Sequence, residues 1–358
     1  MSRNRLYDYQ FRALIVMLIL SDVFSIGVMW NSFGNGVWAS YFIAAPFGTA
    51  VCLLWAKLIK GRGGLYAAFG GGRAAGLFFS LLYALYFTGF AALMLGEYAA
   101  FVSDGSLMET SPAVFTVPLA AVAAYGAKKG IRTLGRAAVI FGAAALVFMA
   151  AATLWSIAAG ETYSLYPLLG SDTTGTARTG AAVLMLRYGE LAPLMTLFDH
   201  SEGRGAGGAA GCALFTGLLL AFFTMGGVMA SGRLSYIDGG TFFRGSGDVS
   251  SVLRFMTFVS TATFLFGAVF RVAVNLRASA EAIGRATGIK RERRLIYPLA
   301  AAAVILSTVI PSSSYELDRF FTGAYIPIAA VATVVLPLFA YIIWKVREFA
   351  EKKRHITD

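Results

Sequence analysis

The stretch TGAAVLMLRYGELAPLMTLF, residues 179–198, is an apolar run interrupted by Arg187, Gly189, Glu190 and Pro193. Its length matches the roughly 20 residues with which an α-helix crosses a lipid bilayer. Charged side chains are costly in lipid, so Arg187 and Glu190 must face protein, a partner or water. Glycine accepts unusual backbone angles and proline removes a backbone donor, so we expect this membrane helix to be interrupted.

Apolar runs of similar length recur along the whole chain. Of its 358 residues, 58% are hydrophobic and only 14% are charged, against roughly 25% charged in a soluble domain. Ten membrane spans are predicted, over residues 10–30, 38–58, 75–102, 111–125, 134–158, 179–198, 209–231, 251–276, 296–311 and 321–344. The sequence therefore indicates an all-α integral membrane protein with ten transmembrane helices, forming a single polytopic membrane domain over residues 1–358.

Connections rich in Lys and Arg alternate along the chain with connections that contain few of them. The basic segments are residues 3–12, 57–73, 128–136, 204, 277–294 and 345–354, whereas the other connections contain only Arg178, Arg233, Arg244 and Arg319. Because short basic loops stay in the cytoplasm, both termini are expected to be cytoplasmic. The net charge of +11 is then explained by orientation and by attraction to membrane lipid, so we expect no nucleic-acid partner.

Few residues are available for catalysis or metal binding. The two histidines, His200 and His355, lie in polar segments, and the two cysteines, Cys52 and Cys212, lie within apolar runs. This set is too small for a metal site or a nucleophile–base pair. Residues 203–208 have the spacing G-x-G-x-x-G, but no strand is predicted before them, so a dinucleotide site is not expected. We therefore expect neither an enzyme nor a bound cofactor.

Polar residues also break the first span, near its midpoint: Ser21, Asp22, Ser25 and Gly27. Two interrupted helices near the middle of the membrane are typical of a transporter-type binding site. The alternative for the sixth span is that its Gly and Pro only kink a packed helix, with Arg187 and Glu190 forming a local ion pair three residues apart. The alternative for Asp22 is a carboxylate whose hydrogen bonds are satisfied by packing.

Two further charged residues lie within spans: Glu97 in the third and Arg271 in the eighth. Opposite charges in a membrane usually pair, so Glu97 is expected to contact Arg271 or Arg187, as a structural clamp or as part of a ligand site. Tyr86 shares a helix with Glu97 and either lines the same cavity or packs in the core. The candidate ligand-binding residues are Ser21, Asp22, Ser25, Gly27, Tyr86, Glu97, Arg187, Tyr188, Gly189, Glu190 and Arg271.

Several short motifs occur in the order found in one known family. TSPAV at 110–114 and AYGAKKGIRTLGR at 124–136 correspond to a TP element before span four and a Y-x-x-x-x-G-I-E-x-I-x-R element after it. QF at 10–11, LYPL at 165–168 and YGE at 188–190 match further elements. On these motifs the chain resembles the B subunits of spore germination receptors. It departs from them in having Arg132 for Glu, Tyr188 for Phe, and ILSD at 19–22 for a glycine-containing stretch.

The resemblance has implications for fold and function. That family is similar to the amino acid–polyamine–organocation transporters, which implies a five-plus-five inverted-repeat transporter fold with interrupted helices one and six. It implies a subunit in a cell membrane or spore inner membrane, beside A-type and lipoprotein C-type receptor subunits. The subunit would bind a small-molecule nutrient such as an amino acid near mid-membrane and trigger germination.

Two other functions remain open from the sequence. One is a proton- or sodium-coupled amino-acid transporter, in which Glu97, Glu190 or Asp22 would be the protonated carboxylate. The other is a structural membrane subunit whose cavity has no ligand.

Overall fold

The computed structural model describes residues 6–21, 36–60, 69, 73–106, 111–166, 173–200, 206–231, 251–309, 316, 319–321 and 323–357. Its α-helices, numbered in chain order, are α1 Asp8–Leu20, α2 Val37–Ile59, α3 Arg73–Ser106, α4 Ala113–Lys129, α5 Ile131–Ala159, α6 Thr173–Val183, α7 Leu191–Thr196, α8 Ala206–Ser231, α9 Ser251–Thr287, α10 Ile296–Val309, α11 Tyr325–Ala330 and α12 Leu336–Thr357. Short 3-10 helices cover Thr162–Leu165, Phe198–His200 and Glu292–Leu295, and π-helices cover Leu184–Tyr188 and Val331–Val335.

Each predicted span overlaps one or more of these helices. Among the described residues, six helices are long and apolar enough to cross a membrane: Val37–Ile59, Arg73–Val102, Ile131–Ala159, Ala206–Ala230, Ser251–Thr287 and Tyr325–Val346. The protein is thus an all-helical integral membrane protein, as predicted, and the count of ten spans stays a prediction. In the first predicted span, α1 ends at Leu20, and the remainder of that span beyond Ser21 lies outside the described residues.

The core is built from helices that pack along their lengths. α9 lies against α3, α4 and α5, and α2 lies against α8. Between α3 and α9, the Ser279 hydroxyl donates to the Ala84 carbonyl at 2.9 Å, and the Thr88 and Ser279 hydroxyl oxygens are 2.8 Å apart. Lipid is as apolar as a leucine side chain, so close packing and such interhelical hydrogen bonds, rather than the hydrophobic effect, hold membrane helices together.

The sixth predicted span is not one continuous α-helix. After α6 the backbone widens into the π-helix Leu184–Tyr188, and a turn at Gly189 and Glu190 leads into α7. The Gly189 N–H donates to the Leu184 carbonyl, five residues back, at 3.2 Å, whereas the Ala192 N–H donates to the Gly189 carbonyl, three residues back, at 3.0 Å. The predicted interruption of this helix is therefore present, and single-turn π segments often occur at functional sites.

A second π segment, Val331–Val335, joins α11 to α12. It contacts the first one, because the Thr333 hydroxyl lies 3.8 Å from the Met185 sulfur. Two aromatic side chains from other helices bond its carbonyl groups: Trp55 Nε1 donates to Thr333 O at 2.9 Å, and the Tyr83 hydroxyl donates to Ala332 O at 2.7 Å. The irregular backbone of the last span is thereby fixed against α2 and α3.

The predicted topology can be tested at the two ends of α5. This helix has 29 residues, or about 43 Å, which exceeds the roughly 30 Å hydrocarbon core. A single cysteine replacing Glu161 should react with a membrane-impermeant maleimide in intact cells, because the end of α5 with few Lys and Arg residues is predicted to be outside. A cysteine replacing Lys129 should react only after permeabilisation. Reaction of both from the same side would contradict a membrane-spanning α5.

Candidate functional site

Three charged side chains from distant parts of the chain meet inside the helix bundle. Arg271 of α9 lies between Glu190, in the turn after the first π segment, and Glu97 of α3. Its Nε atom donates to Glu190 Oε2 at 2.7 Å, its Nη2 atom donates to Glu190 Oε1, and its Nη1 atom donates to Glu97 Oε2 at 3.3 Å. We call Glu97, Glu190 and Arg271 the Arg271 clamp. Arg271 thus binds Glu190 through two bonds and Glu97 through one.

The energetics of the Arg271 clamp follow from its burial, since its side chains are only 1–2% exposed. Two parallel bonds between a guanidinium and a carboxylate are stronger and more directional than one. Removing one partner of a buried ion pair leaves a charge without compensation, which typically costs about 3–5 kcal/mol. Arg271 is one of the two partners predicted for Glu97, the other being Arg187. Glu190, for which the sequence offered the local partner Arg187, pairs with Arg271 across the fold.

Aromatic rings border the clamp. Tyr86 stacks on Phe90 with ring centroids 6.3 Å apart, and Phe90 stacks on Tyr325 at 5.8 Å. Tyr86 and Tyr325 both lie within electrostatic reach of Glu190. Their hydroxyl groups lie near each other, but the geometry is not that of a hydrogen bond, and neither hydroxyl bonds another described residue. Buried hydroxyl groups beside paired charges are suited to a ligand that is part polar and part apolar.

The two residues before Gly189 contact the helices α2 and α8. Arg187, 1% exposed, donates through Nη2 to the Tyr41 hydroxyl of α2 at 3.0 Å, and its guanidinium carbon lies 5.7 Å from the Tyr41 ring centroid. Tyr188 fits between two glycines: a Cβ atom added to Gly48 of α2 would lie 2.0 Å from its ring, and one added to Gly217 of α8 would lie 1.8 Å from its hydroxyl oxygen. Tyr188 therefore acts as a wedge between α2 and α8.

Gly189 has a steric role. A Cβ atom at this position would lie 2.2 Å from the Met185 carbonyl oxygen and 3.5 Å from Thr333 Cγ2. Glycine is needed here because the widened π turn brings the Met185 carbonyl close, whereas the distance to Thr333 of the second π segment is an ordinary van der Waals contact. Gly189 thus makes room for the widened turn next to Glu190.

The first span approaches the clamp through its described end. Ser21 caps α1: its N–H donates to Met17 O at 3.0 Å and its hydroxyl to Leu18 O at 3.2 Å. A Cβ atom added to Gly267 of α9 would lie 1.7 Å from Ser21 Cβ, and Gly267 is one helical turn before Arg271. Ser21 is therefore close to the clamp helix. The other three candidates of this span, Asp22, Ser25 and Gly27, lie outside the described residues.

The candidate residues thus separate into two groups. Tyr86, Glu97, Glu190 and Arg271 lie together, while Arg187 and Tyr188 pack against α2 and α8. Sequence reasoning did not identify Tyr41, Tyr325, Gly48, Gly217 and Gly267, because a tyrosine or glycine in an apolar run gives no signal of its partner. Within the described part of the chain, no group of three His, Cys, Asp or Glu side chains could hold a metal ion.

Comparison with known proteins gives one family and a shared fold. The model of the Spore_permease family, described as spore germination protein, matches residues 9–230, more than half of the chain. No curated protein sequence gives a significant match.

Two solved structures resemble this one over nearly the whole chain. The crystal structure of MhsT in complex with L-phenylalanine has a TM-score of 0.64 and 13% identity, covering 93% of this chain and 89% of MhsT. Mhp1, a nucleobase-cation-symport-1 family transporter in a closed conformation with bromovinylhydantoin bound, has a TM-score of 0.56 and 12% identity, covering 92% of this chain and 78% of Mhp1. The chain therefore has a LeuT-like fold.

The packing of Tyr188 between α2 and α8 predicts how substitutions around it affect stability, with Tyr188→Phe as the control. Gly48→Ala and Gly217→Ala should each destabilise the purified protein, by at least the roughly 1–3 kcal/mol typical of overpacking. Tyr188→Phe should be close to neutral, because its buried hydroxyl has no hydrogen-bond partner among the described residues. Thermal unfolding in detergent measures all three variants. A destabilised Tyr188→Phe with a stable Gly48→Ala would show that the hydroxyl, not the ring volume, matters.

The unequal bonding in the Arg271 clamp predicts unequal effects of neutralising its carboxylates. Glu190→Gln replaces the carboxylate that accepts two bonds and should lower both Tm and membrane abundance strongly. Glu97→Gln replaces the carboxylate that accepts one longer bond and should have the smaller effect. The two substitutions are chemically identical, so each is the control for the other. Equal losses, or a larger loss for Glu97→Gln, would contradict the geometry.

Proposed function

Because this chain belongs to the spore germination protein family Spore_permease, we propose that it is the nutrient-sensing subunit of a germinant receptor. In this proposal it binds a small molecule such as an amino acid near mid-membrane, and binding triggers germination. The observation that carries the proposal is the interrupted sixth span, whose Gly189–Glu190 turn meets Arg271 beside Tyr86 and Tyr325.

The chemistry of this region supports a small ligand with both polar and apolar parts. The stacked rings of Tyr86, Phe90 and Tyr325 offer an apolar wall. The Arg271 clamp offers charges in a water-poor setting, where each polar contact is stronger than in water. A similar fold is seen in the MhsT complex with L-phenylalanine, which makes an amino acid the first ligand class to test.

The remaining candidate residues take their proposed roles from this arrangement. Ser21 would contribute from the end of α1, together with Asp22, Ser25 and Gly27. Glu97, Glu190 and Arg271 would respond to the charges of the ligand, and Tyr86 would contact its side chain. Arg187, Tyr188 and Gly189 would shape the site from behind, through their contacts with α2, α8 and the second π segment.

The proposed receptor function also implies partners and a location in the cell. A-type and lipoprotein C-type receptor subunits would assemble with this chain in the spore inner membrane. A sensor needs binding and a conformational response but no sustained flux. The Arg271 clamp suits that requirement, because a ligand that bonds Arg271 or Glu190 would have to replace bonds that already join them.

A second candidate function is a proton- or sodium-coupled amino-acid transporter. It is favoured by one observation, the presence of two buried carboxylates, Glu97 and Glu190, around one guanidinium. Protonation of either carboxylate would weaken its bond to Arg271 and would thereby couple a proton to movement of α9 against α3. The fold similarity to Mhp1, a symport family transporter, agrees with this alternative.

A binding screen with the purified full-length chain tests the proposal. An amino-acid ligand present at about 100 times its Kd should stabilise the protein by about 2.7 kcal/mol, which is measurable as a rise in Tm. Tyr86→Phe should weaken that binding up to about tenfold if the hydroxyl contacts the ligand. Tyr163→Phe is the matched control, because Tyr163 is exposed and lies in the 3-10 helix after α5.

The same ligand separates the two functions when the protein is reconstituted into vesicles. A sensor should bind the ligand without accumulating it when a proton or sodium gradient is applied. Gradient-driven accumulation would support the transporter instead. If no amino acid shifts the Tm and none is accumulated, an amino-acid-binding function of either kind is wrong.

A further inference from the structure

A second polar surface lies at the end of the bundle where α4 ends and α10 begins, far along α9 from the clamp. Here the Lys128 Nζ atom is 4.3 Å from the centroid of the Tyr297 ring, and the Lys129 Nζ atom is 5.2 Å from the centroid of the Tyr125 ring. All four side chains are exposed. Two lysines thus sit directly beside two accessible tyrosines from neighbouring helices.

The connection between α9 and α10 adds more positive charge to this end. Lys290, Arg291 and Arg294 are exposed there, and the 3-10 helix Glu292–Leu295 contacts α4. The one acidic residue of the connection, Glu292, accepts a bond from buried Arg277 at 3.2 Å. Its charge is therefore compensated inside the fold. Lys128, Lys129, Lys290, Arg291 and Arg294, with Tyr125 and Tyr297, form what we call the basic tyrosine surface.

Exposed aliphatic side chains continue from this surface along α4 and α10, as is expected of a wall that faces lipid. On α4, Val117 and Val122 are 51% and 56% exposed, and on α10, Ile305 and Val309 are 65% and 79% exposed. Along each helix the order is therefore exposed aliphatic residues, then tyrosine, then basic residues. A phospholipid presents matching layers: acyl chains, the polar interface that tyrosine prefers, and the phosphate.

We propose that the basic tyrosine surface binds the phosphodiester headgroup of an anionic phospholipid. Lys128 and Lys129 approach the phosphate from α4, while Lys290, Arg291 and Arg294 approach it from the α9–α10 connection. The N-terminus of α10, a helix of 14 residues, adds its partial positive charge. The acyl chains lie on the aliphatic residues of α4 and α10. Basic residues at this position match the leaflet that the charge distribution predicts to be cytoplasmic, where anionic lipids attract such groups.

Lipid retention by the purified full-length chain tests this site. The protein is exchanged into mixed micelles containing phosphatidylglycerol or phosphatidylcholine, and bound lipid is counted by native mass spectrometry. The wild type should retain phosphatidylglycerol in preference, and the preference should fall with added salt. The double variant Lys128→Gln/Lys129→Gln should need more phosphatidylglycerol for half-saturation, by about fivefold for each charge removed.

A control is Lys345→Gln on α12, which is also predicted to end on the cytoplasmic side. The Lys345 Nζ atom lies 4.7 Å from the centroid of the Trp344 ring, so this lysine too is beside an aromatic ring. The substitution should leave retention unchanged. Equal retention of both lipids by the wild type would overturn the proposal without any variant, as would unchanged phosphatidylglycerol binding in a monodisperse double variant. Tighter binding of a polyglutamate peptide than of phosphatidylglycerol would assign the surface to an acidic protein segment instead. None of these outcomes depends on germinant binding.

Discussion

One buried guanidinium governs how the middle of this protein is assembled. Arg271 brings α9 together with Glu97 of α3 and with Glu190 in the turn of the sixth span. In lipid, helices gain little from burying apolar surface against each other, so polar bonds of this kind have a large influence on which helices meet. Glu190 lies in the turn that follows the first π segment, so the interruption of the sixth span sets the position from which it bonds Arg271.

The residues around the clamp accommodate that interruption. Tyr188 of the π-helix occupies the space left by Gly48 and Gly217, and Gly189 leaves room for the Met185 carbonyl of the widened turn. That second segment is in turn fixed by side-chain bonds from Trp55 and Tyr83. Irregular backbone in a membrane protein is tolerated where it is buried in protein. The first π segment meets this condition, because Met185, Leu186, Arg187 and Tyr188 are buried. The second meets it only in part: Ala332 and Thr333, whose carbonyl groups accept those bonds, are buried, whereas Val331 and Val335 are exposed.

The sequence predicted those features that depend on composition and spacing. Span positions follow from the cost of polar groups in lipid, and Gly189 with Pro193 indicated the interrupted helix. The pairing of Glu97 with either Arg271 or Arg187 followed because few charges lie within the spans. Other features required three-dimensional information. The π turn changes the rotation of every following side chain, so the partner of Glu190 could not be read from an i, i+3 spacing. The second π segment, VATVV, contains neither Gly nor Pro and gave no signal.

The central claim, that the Arg271–Glu190 bond holds the fold's interrupted span in place, is tested most directly by a double-mutant cycle. Unfolding of Arg271→Met, Glu190→Gln and the double variant would be measured in one detergent, with the exposed pair Asp8 and Arg12 as the control cycle. The account predicts that each single change at the clamp is strongly destabilising and that the double variant loses clearly less than their sum, because no charge of the pair is left stranded. The control cycle should show coupling near zero. Additive, small losses at the clamp would contradict the account.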